Sequence, residues 1–330
     1  MEKMWALNVH MSWNWNEGLV SKRPFEFDDK AWDEVLEEAS SAGINTIIFD
    51  LLDGISYGSH PEIALEGAWS RERMRKELKK LKSLGMKAIP RLNFSATHST
   101  WLGEYSRMIS SKIYYQVCRD LIFEVAELFG HPSYIHLVMD EENIKHFREN
   151  GFTVCRGGEY MWHDLQFLFD CVRDTGATPW IAQDLLFGNT EEFVKRVSPE
   201  DVLISPWYYH SLLPEHFMPI TRRQETIDYY AQDKYKGMNI VYCEDDPSCV
   251  RFREKALCGV PYGYRYAPCV SFVNRNEYNF IDMLQYFKNG VPDEQLEGFV
   301  VGTFTLMTES KKDYIIKNIH MLRDARKVVY

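Results

Sequence analysis

Three carboxylates follow directly on an apolar run in the segment Tyr134-Ile135-His136-Leu137-Val138-Met139-Asp140-Glu141-Glu142. Two adjacent acids at the mouth of a pocket repel one another, which predicts that one of them keeps its proton toward neutral pH. A protonated carboxyl beside an ionised one is the equipment of general acid catalysis. A second acidic stretch, Tyr242-Cys243-Glu244-Asp245-Asp246, adds Glu244 as a catalytic candidate and Tyr242 as a substrate contact. Around them stand residues suited to hydroxyl binding and ring stacking: His10, Trp13, Asp50, Arg91, Asn93, His98, His136, Asp184, Trp207 and Tyr208. Trp and Tyr offer a flat apolar face beside a hydrogen-bonding tip, which is what a sugar ring asks of its pocket.

Nearly all of these candidates end an apolar run, so the elements that position them come next. Apolar segments at 5–11, 46–51, 87–92, 134–139, 178–183, 202–205, 239–243 and 298–304 read as strands. Amphipathic stretches at 28–42, 70–83, 110–129, 160–175, 191–197, 222–236, 277–288 and 313–328 read as the helices between and after them. Asp28 and Ser70 are placed to cap two of these helices, and Gly43, Gly85 and Gly176 to end three. Eight strand-helix units predict an α/β fold, a (β/α)₈ TIM barrel, as one domain over residues 1–330 with long loops at 205–275. No strand leads into a glycine-rich phosphate loop, which disfavours an open nucleotide-binding sheet.

Strand parity points to the site. Leu7, Val9 and Met11 alternate with Asn8, His10 and Ser12; Ile47, Phe49 and Leu51 with Thr46, Ile48 and Asp50; Ala88, Pro90 and Leu92 with Ile89, Arg91 and Asn93. One parity is apolar and faces the helices, and the other turns polar toward the carboxyl end of each strand. In the fourth strand the same alternation puts Asp140 on the inward parity of His136. Parallel strands covered on both faces are ordinarily apolar throughout, so a polar inner end calls for an active site there. An inward Arg91 needs a carboxylate partner, and Asp50 or Asp140 is expected to brace it.

The spacing His136-x-x-x-Asp140-Glu141 resembles the fourth-strand signature of the family 20 glycoside hydrolases, the β-N-acetylhexosaminidases, which reads His-x-Gly-Gly-Asp-Glu. The order of the strands and the segment from Asn93 to His98 are similar as well. The resemblance implies hydrolysis of a glycosidic bond, with Glu141 as general acid and Asp140 orienting the substrate's 2-acetamido group. Two departures stand out: Val138 and Met139 replace the Gly-Gly pair, and the run from His10 to Asn16 lacks the arginine that the family carries after its first strand. Three alternatives remain open at this point. One is a retaining glycosidase of the β-galactosidase-type clan, with Glu141 as acid/base and Glu244 as nucleophile after strand seven. Another is a metal-dependent sugar isomerase or epimerase using Asp50, Asp184, His10 and Glu244. The third is a carbohydrate-binding barrel without catalysis.

Composition bounds the partners. Acidic residues outnumber Lys and Arg by 48 to 38, giving a net charge of −10, which argues against nucleic acid and anionic membranes. Nine Trp and nineteen Tyr fit a carbohydrate substrate. The odd set of seven Cys has no zinc-like spacing, so no metal or other cofactor is expected, and a reducing, cytoplasmic compartment is. No apolar stretch is long enough to span a membrane, and an oligomer is compatible with the sequence.

Overall fold

A computed structural model describes residues 2–14, 22–142, 154–186, 189–208, 263–271 and 278–330. Its strands are β1 (Met4–His10), β2 (Thr46–Asp50), β3 (Lys87–Arg91), β4 (Tyr134–Val138), β5 (Thr178–Ala182), β6 (Leu203–Ser205), β7 (Trp207–Tyr208), β8 (Arg265–Tyr266), β9 (Cys269–Ser271) and β10 (Gly298–Leu306). Every pairing is parallel, in the order β7-β9-β10-β1-β2-β3-β4-β5-β6-β8. Only Pro206 separates β6 from β7, and only Ala267 and Pro268 separate β8 from β9. Since β8 pairs with β6 while β9 pairs with both β7 and β10, the two ends of the sheet meet. Backbone bonds from Ala267 to Ile204 and from Cys269 to Pro206, 2.9 and 2.8 Å, carry the ladder past both prolines. The ten segments thus occupy eight positions of a parallel ring, the (β/α)₈ arrangement the alternation predicted.

Seven of the expected strands lie where the pattern placed them, to within a residue or two at most ends. The eighth, 239–243, and the helix at 222–236 fall outside the described residues. The seventh position in the ring belongs to Arg265–Ser271, which the sequence pattern had assigned to the loops at 205–275. Pro268 hides this strand: a proline inside a run signals a break, and each half is too short to show a period of two.

The helices are α1 (Asp29–Ser41), α2 (Arg71–Ser83), α3 (Lys112–Leu128), α4 (Glu159–Asp174), α5 (Thr190–Arg196), α6 (Tyr278–Gly290) and α7 (Glu309–Val329). Asp28 caps α1 by accepting from Ala31 N at 2.8 Å, and Ser70 caps α2 by accepting from Arg73 N at 3.1 Å. Gly43 follows α1 at φ +80°, the left-handed exit that glycine takes without strain.

Two apolar cores confirm the parity. Leu7, Val9, Met11, Ile47, Phe49, Leu51, Leu92, Ile135, Leu137 and Met139 pack in the large core with the helices. Ala6, Ile48, Ile89, Trp180, Leu203, Ala267, Cys269 and Val300 form a separate small core inside the ring. Below it, Arg265 donates to Tyr134 Oη at 3.1 Å and pairs with Glu297 at 3.3 Å, closing the amino end. The ring is therefore filled, and the residues past the carboxyl ends of the strands are left to form a site.

Candidate active site

The inner residues at the carboxyl ends of the first strands share one level. Strand register sets His10 beside Asp50, Asp50 beside Arg91, and Arg91 beside His136. His10 Nδ1 lies 2.7 Å from Asp50 Oδ2, and Arg91 Nε lies 3.6 Å from Asp50 Oδ1, so Asp50 braces Arg91 as expected. All three side chains are buried. Asn8 Nδ2 reaches His10 Nε2 at 3.0 Å, and Trp13 meets the His10 ring edge-on at 5.2 Å.

Above this level the loops after β3 and β4 interlock. After β3, Asn93 Oδ1 accepts from Ser95 N at 3.0 Å, and Trp101 Nε1 donates to Asn93 O at 2.7 Å. A single helical turn, Ala96–His98, then delivers the buried His98. Its Nδ1 stands 2.8 Å from Asp140 Oδ1 and its Nε2 stands 3.1 Å from Glu141 Oε2. Ser95 Oγ donates to Asp140 Oδ1 at 2.8 Å, Asp140 N to Ser95 Oγ at 2.8 Å, and Asn93 Nδ2 reaches the same carboxylate oxygen at 3.4 Å. Among the described residues, every side-chain hydrogen bond to Asp140 falls on Oδ1, leaving Oδ2 for another donor. Glu141 N donates to Asp184 Oδ1 at 3.4 Å.

Mutual repulsion was expected to raise one acid of the pair; for Asp140 the shift runs the other way, because an imidazole stands between it and Glu141. Burial would lift Asp140, yet the His98 charge and its hydrogen bond, with Arg91 and Ser95 behind them, hold its carboxyl well below the usual range. Burial would likewise depress His98, and the Asp140 charge and the two carboxylate hydrogen bonds hold it well above the ordinary imidazole range. His98 and Asp140 therefore form an ion pair at neutral pH, and Glu141, 31% exposed, faces that internally balanced pair.

Asp140 also departs from the inward parity expected of it. The β4 register shifts between His136 and Val138, so the alternation does not run on to Asp140. Val138, Met139 and Glu141 take positive φ values of 61°, 59° and 55°. Each costs about 1 to 3 kcal/mol for a residue with a Cβ, and the surroundings must over-determine it. Val138 and Met139 stand where the resembled motif has Gly-Gly, and they adopt the backbone glycine prefers.

Three residues of this arrangement were not legible as site residues. The Glu142 side chain is fully buried, accepting from Ala96 N at 2.6 Å and from Arg156 Nε at 2.9 Å. Arg156 also holds Asp164 Oδ2 at 3.1 Å and Phe94 O at 2.6 Å. Asp164 accepts in turn from Ser110 Oγ at 2.6 Å and Tyr115 Oη at 2.5 Å. Glu142 thus fastens the loop rather than facing solvent. Only an arginine preceding a helix hints at this in sequence, and nothing there names its partners.

The described candidates from β1 to β5 come together: His10, Trp13, Asp50, Arg91, Asn93, His98, His136, Asp140, Glu141 and Asp184. Trp207 and Tyr208 form β7, at the carboxyl end of the sixth ring position. Tyr242 and Glu244 lie outside the described residues. The retaining-clan alternative needs a nucleophile after strand seven, and Glu244 precedes that strand, which begins at Arg265. Among the described residues no group of three or more His, Cys, Asp or Glu side chains is placed to hold a metal ion, and no helix is long and apolar enough to cross a membrane.

Fold and site together define a (β/α)₈ barrel with an imidazole-bridged carboxylate pair past its fourth strand. No family model and no curated protein sequence matches the chain. Solved structures do. A GH20 exo β-N-acetylglucosaminidase from Vibrio harveyi, in complex with N-acetylglucosamine, matches 98% of this chain with TM-score 0.59 at 13% identity. A mutant Streptomyces plicatus β-hexosaminidase with GlcNAc product matches 97% at TM-score 0.61 and 12% identity. The GH20 β-N-acetylhexosaminidase of Streptomyces coelicolor matches 97% at TM-score 0.61 and 11% identity. The chain spans 54, 63 and 64% of the length of those three proteins. Its fold is a divergent form of the one these hexosaminidases share.

Proposed function

We propose that the chain is a glycoside hydrolase that cleaves 2-acetamido sugars by a substrate-assisted, retaining mechanism. The observation that carries this is His98 bridging Asp140 and Glu141 at the carboxyl end of β4. Asp140, held anionic and fixed through Oδ1, keeps Oδ2 to accept the acetamido N–H of a bound sugar. That hydrogen bond increases electron density on the acetamido oxygen, which attacks the anomeric carbon as the glycosidic C–O bond breaks. Glu141 gives its proton to the departing oxygen, becomes a carboxylate, and then takes a proton from the water that opens the cyclic intermediate. His10, Asp50, Arg91, Asn93 and Asp184 are the hydroxyl-binding candidates, with Trp13, Trp207, Tyr208 and Tyr242 as stacking or rim contacts. The solved complexes of similar fold carry N-acetylglucosamine, which supports the choice of sugar class. We read residues 1–330 as one barrel domain, supported by a ring that runs from β1 to α7. A cytoplasmic location is supported by the free thiols of Cys118, Cys155, Cys171 and Cys269.

A panel of nitrophenyl glycosides tests the proposal. N-acetylhexosaminides should be cleaved and the corresponding galactosides and glucosides not, and a thiazoline analogue should inhibit. Glu141→Gln should lose about 10² to 10⁴-fold with nitrophenyl leaving groups and much less with dinitrophenolate, which needs little proton assistance. Asp140→Ala should fail with both. A 2-fluoro sugar that leaves a covalent adduct on any carboxylate of the chain would overturn the acetamido mechanism.

A further inference from the structure

The segment that delivers Asp140 and Glu141 enters a left-handed conformation at Val138 and Met139, and His136 holds its entrance. Val138 N–H donates to His136 Nδ1 at 3.1 Å, directly across the register shift of β4. An Nδ1 that accepts cannot carry a proton, so the ring is neutral with its proton on Nε2. Its surroundings agree: burial, and then the Arg91 charge, hold His136 well below the ordinary imidazole range. The ring lies flat on Trp180, with centroids 4.6 Å apart and planes 8° from parallel. Trp180 is anchored in its turn, Nε1 donating to Ser205 Oγ at 2.9 Å and Ser205 Oγ donating to Ala267 O at 2.7 Å. The acceptor is thus fixed from β5, β6 and the strand beyond, three ring positions away from the turn it holds.

We propose that His136 is a positioning residue, whose Nδ1 accepts Val138 N–H and so sets the left-handed turn that presents Asp140 and Glu141 to His98. A β-branched valine resists this backbone, and the hydrogen bond at its own amide is the local contact that holds it there. The functional part of this inference rests on the proposed glycosidase chemistry, whereas its structural part does not.

Two variants separate acceptor from packing. His136→Phe keeps a flat ring on Trp180 and removes the acceptor, while His136→Asn sets an amide oxygen near the place of Nδ1 and removes the stacked ring. His136→Phe should lower kcat on a nitrophenyl N-acetylhexosaminide about 100-fold, the scale of a 1 Å misplacement of a catalytic group, with KM changed little. His136→Asn should restore most of that loss. Equal losses in both variants, or none in either, would overturn the proposal. Readouts independent of activity are the ¹⁵N spectrum of the wild-type imidazoles and the exchange of the Val138 amide. His136 should appear neutral and protonated on Nε2, and the Val138 amide should exchange faster in His136→Phe than in His136→Asn. A charged ring, a proton on Nδ1, or equal exchange in the two variants would refute the positioning role even if no glycosidase activity were found.

Discussion

Replacing Arg156 by Met removes a cation that pairs with two carboxylates whose side chains are fully buried. Glu142 and Asp164 have side chains 0% exposed, and Arg156 is 1% exposed between them. Met fills much of the same volume, so the loss is chiefly electrostatic. Breaking a buried pair by deleting one partner costs about 3 to 5 kcal/mol, because the remaining charge stays desolvated. Ser110, Tyr115 and the Ala96 amide still donate to these carboxylates, which argues for the lower half of that range. At about 2 °C per kcal/mol for a chain of this size, Tm should fall by about 6 to 8 °C. Scanning calorimetry at pH 7 and at pH 5 measures it. Adding Glu142→Gln and Asp164→Asn to Arg156→Met should recover most of the loss at both pH values. A fall of less than about 2 °C, or a triple variant no better than the single one, would refute the assignment of this cluster as the fastener of the loop.

Two further predictions follow from the ring and the ion pair. Gly298 faces Met4 across the β10–β1 seam, and an added Cβ would stand 2.0 Å from the Met4 carbonyl oxygen. Gly298→Ala should therefore destabilise by about 3 kcal/mol or prevent folding, whereas Gly85→Ala, in open space at φ +74°, should cost only about 1 to 2 kcal/mol. Comparable Tm values for the two would count against the seam. The His98–Asp140 pair sets a pH window. His98 is raised from 6.5, so its contribution is full below that value and fades as pH climbs through the higher folded pKa. Asp140 is lowered from 3.8, so its contribution is full above that value and fades as pH falls through the lower one. The stability gap between wild type and His98→Gln should be widest between pH 3.8 and 6.5 and should narrow on the alkaline side; a gap that widens from pH 6 to 9 contradicts the pair.

The sequence by itself determined the architecture and the address of the site. Alternation of period two in short apolar runs, amphipathic helices between them, and caps at Asp28 and Ser70 are local signals, and local chemistry decides them. The polar inner ends of β1 to β3 were legible for the same reason: His10, Asp50 and Arg91 break an otherwise apolar parity, and the ring sets them side by side. Tertiary structure alone decided how the acids behave. Asp140 and Glu141 are adjacent in the chain, but the imidazole that fixes the charge of Asp140 arrives from the loop after β3, 42 residues earlier. Glu142 looks like its neighbours in sequence, yet its side chain is buried on Arg156, 14 residues further along the chain. The strand at Arg265–Ser271 and the turn at Val138-Met139 were hidden because neighbours override local preference in both. Flanking strands supply the hydrogen bonds that carry a proline-broken segment through the ring. The bond to His136, whose ring lies on Trp180, holds a valine in a backbone shape its own side chain disfavours. Contacts made across the ring set these energies, and the order of residues along the chain does not record them.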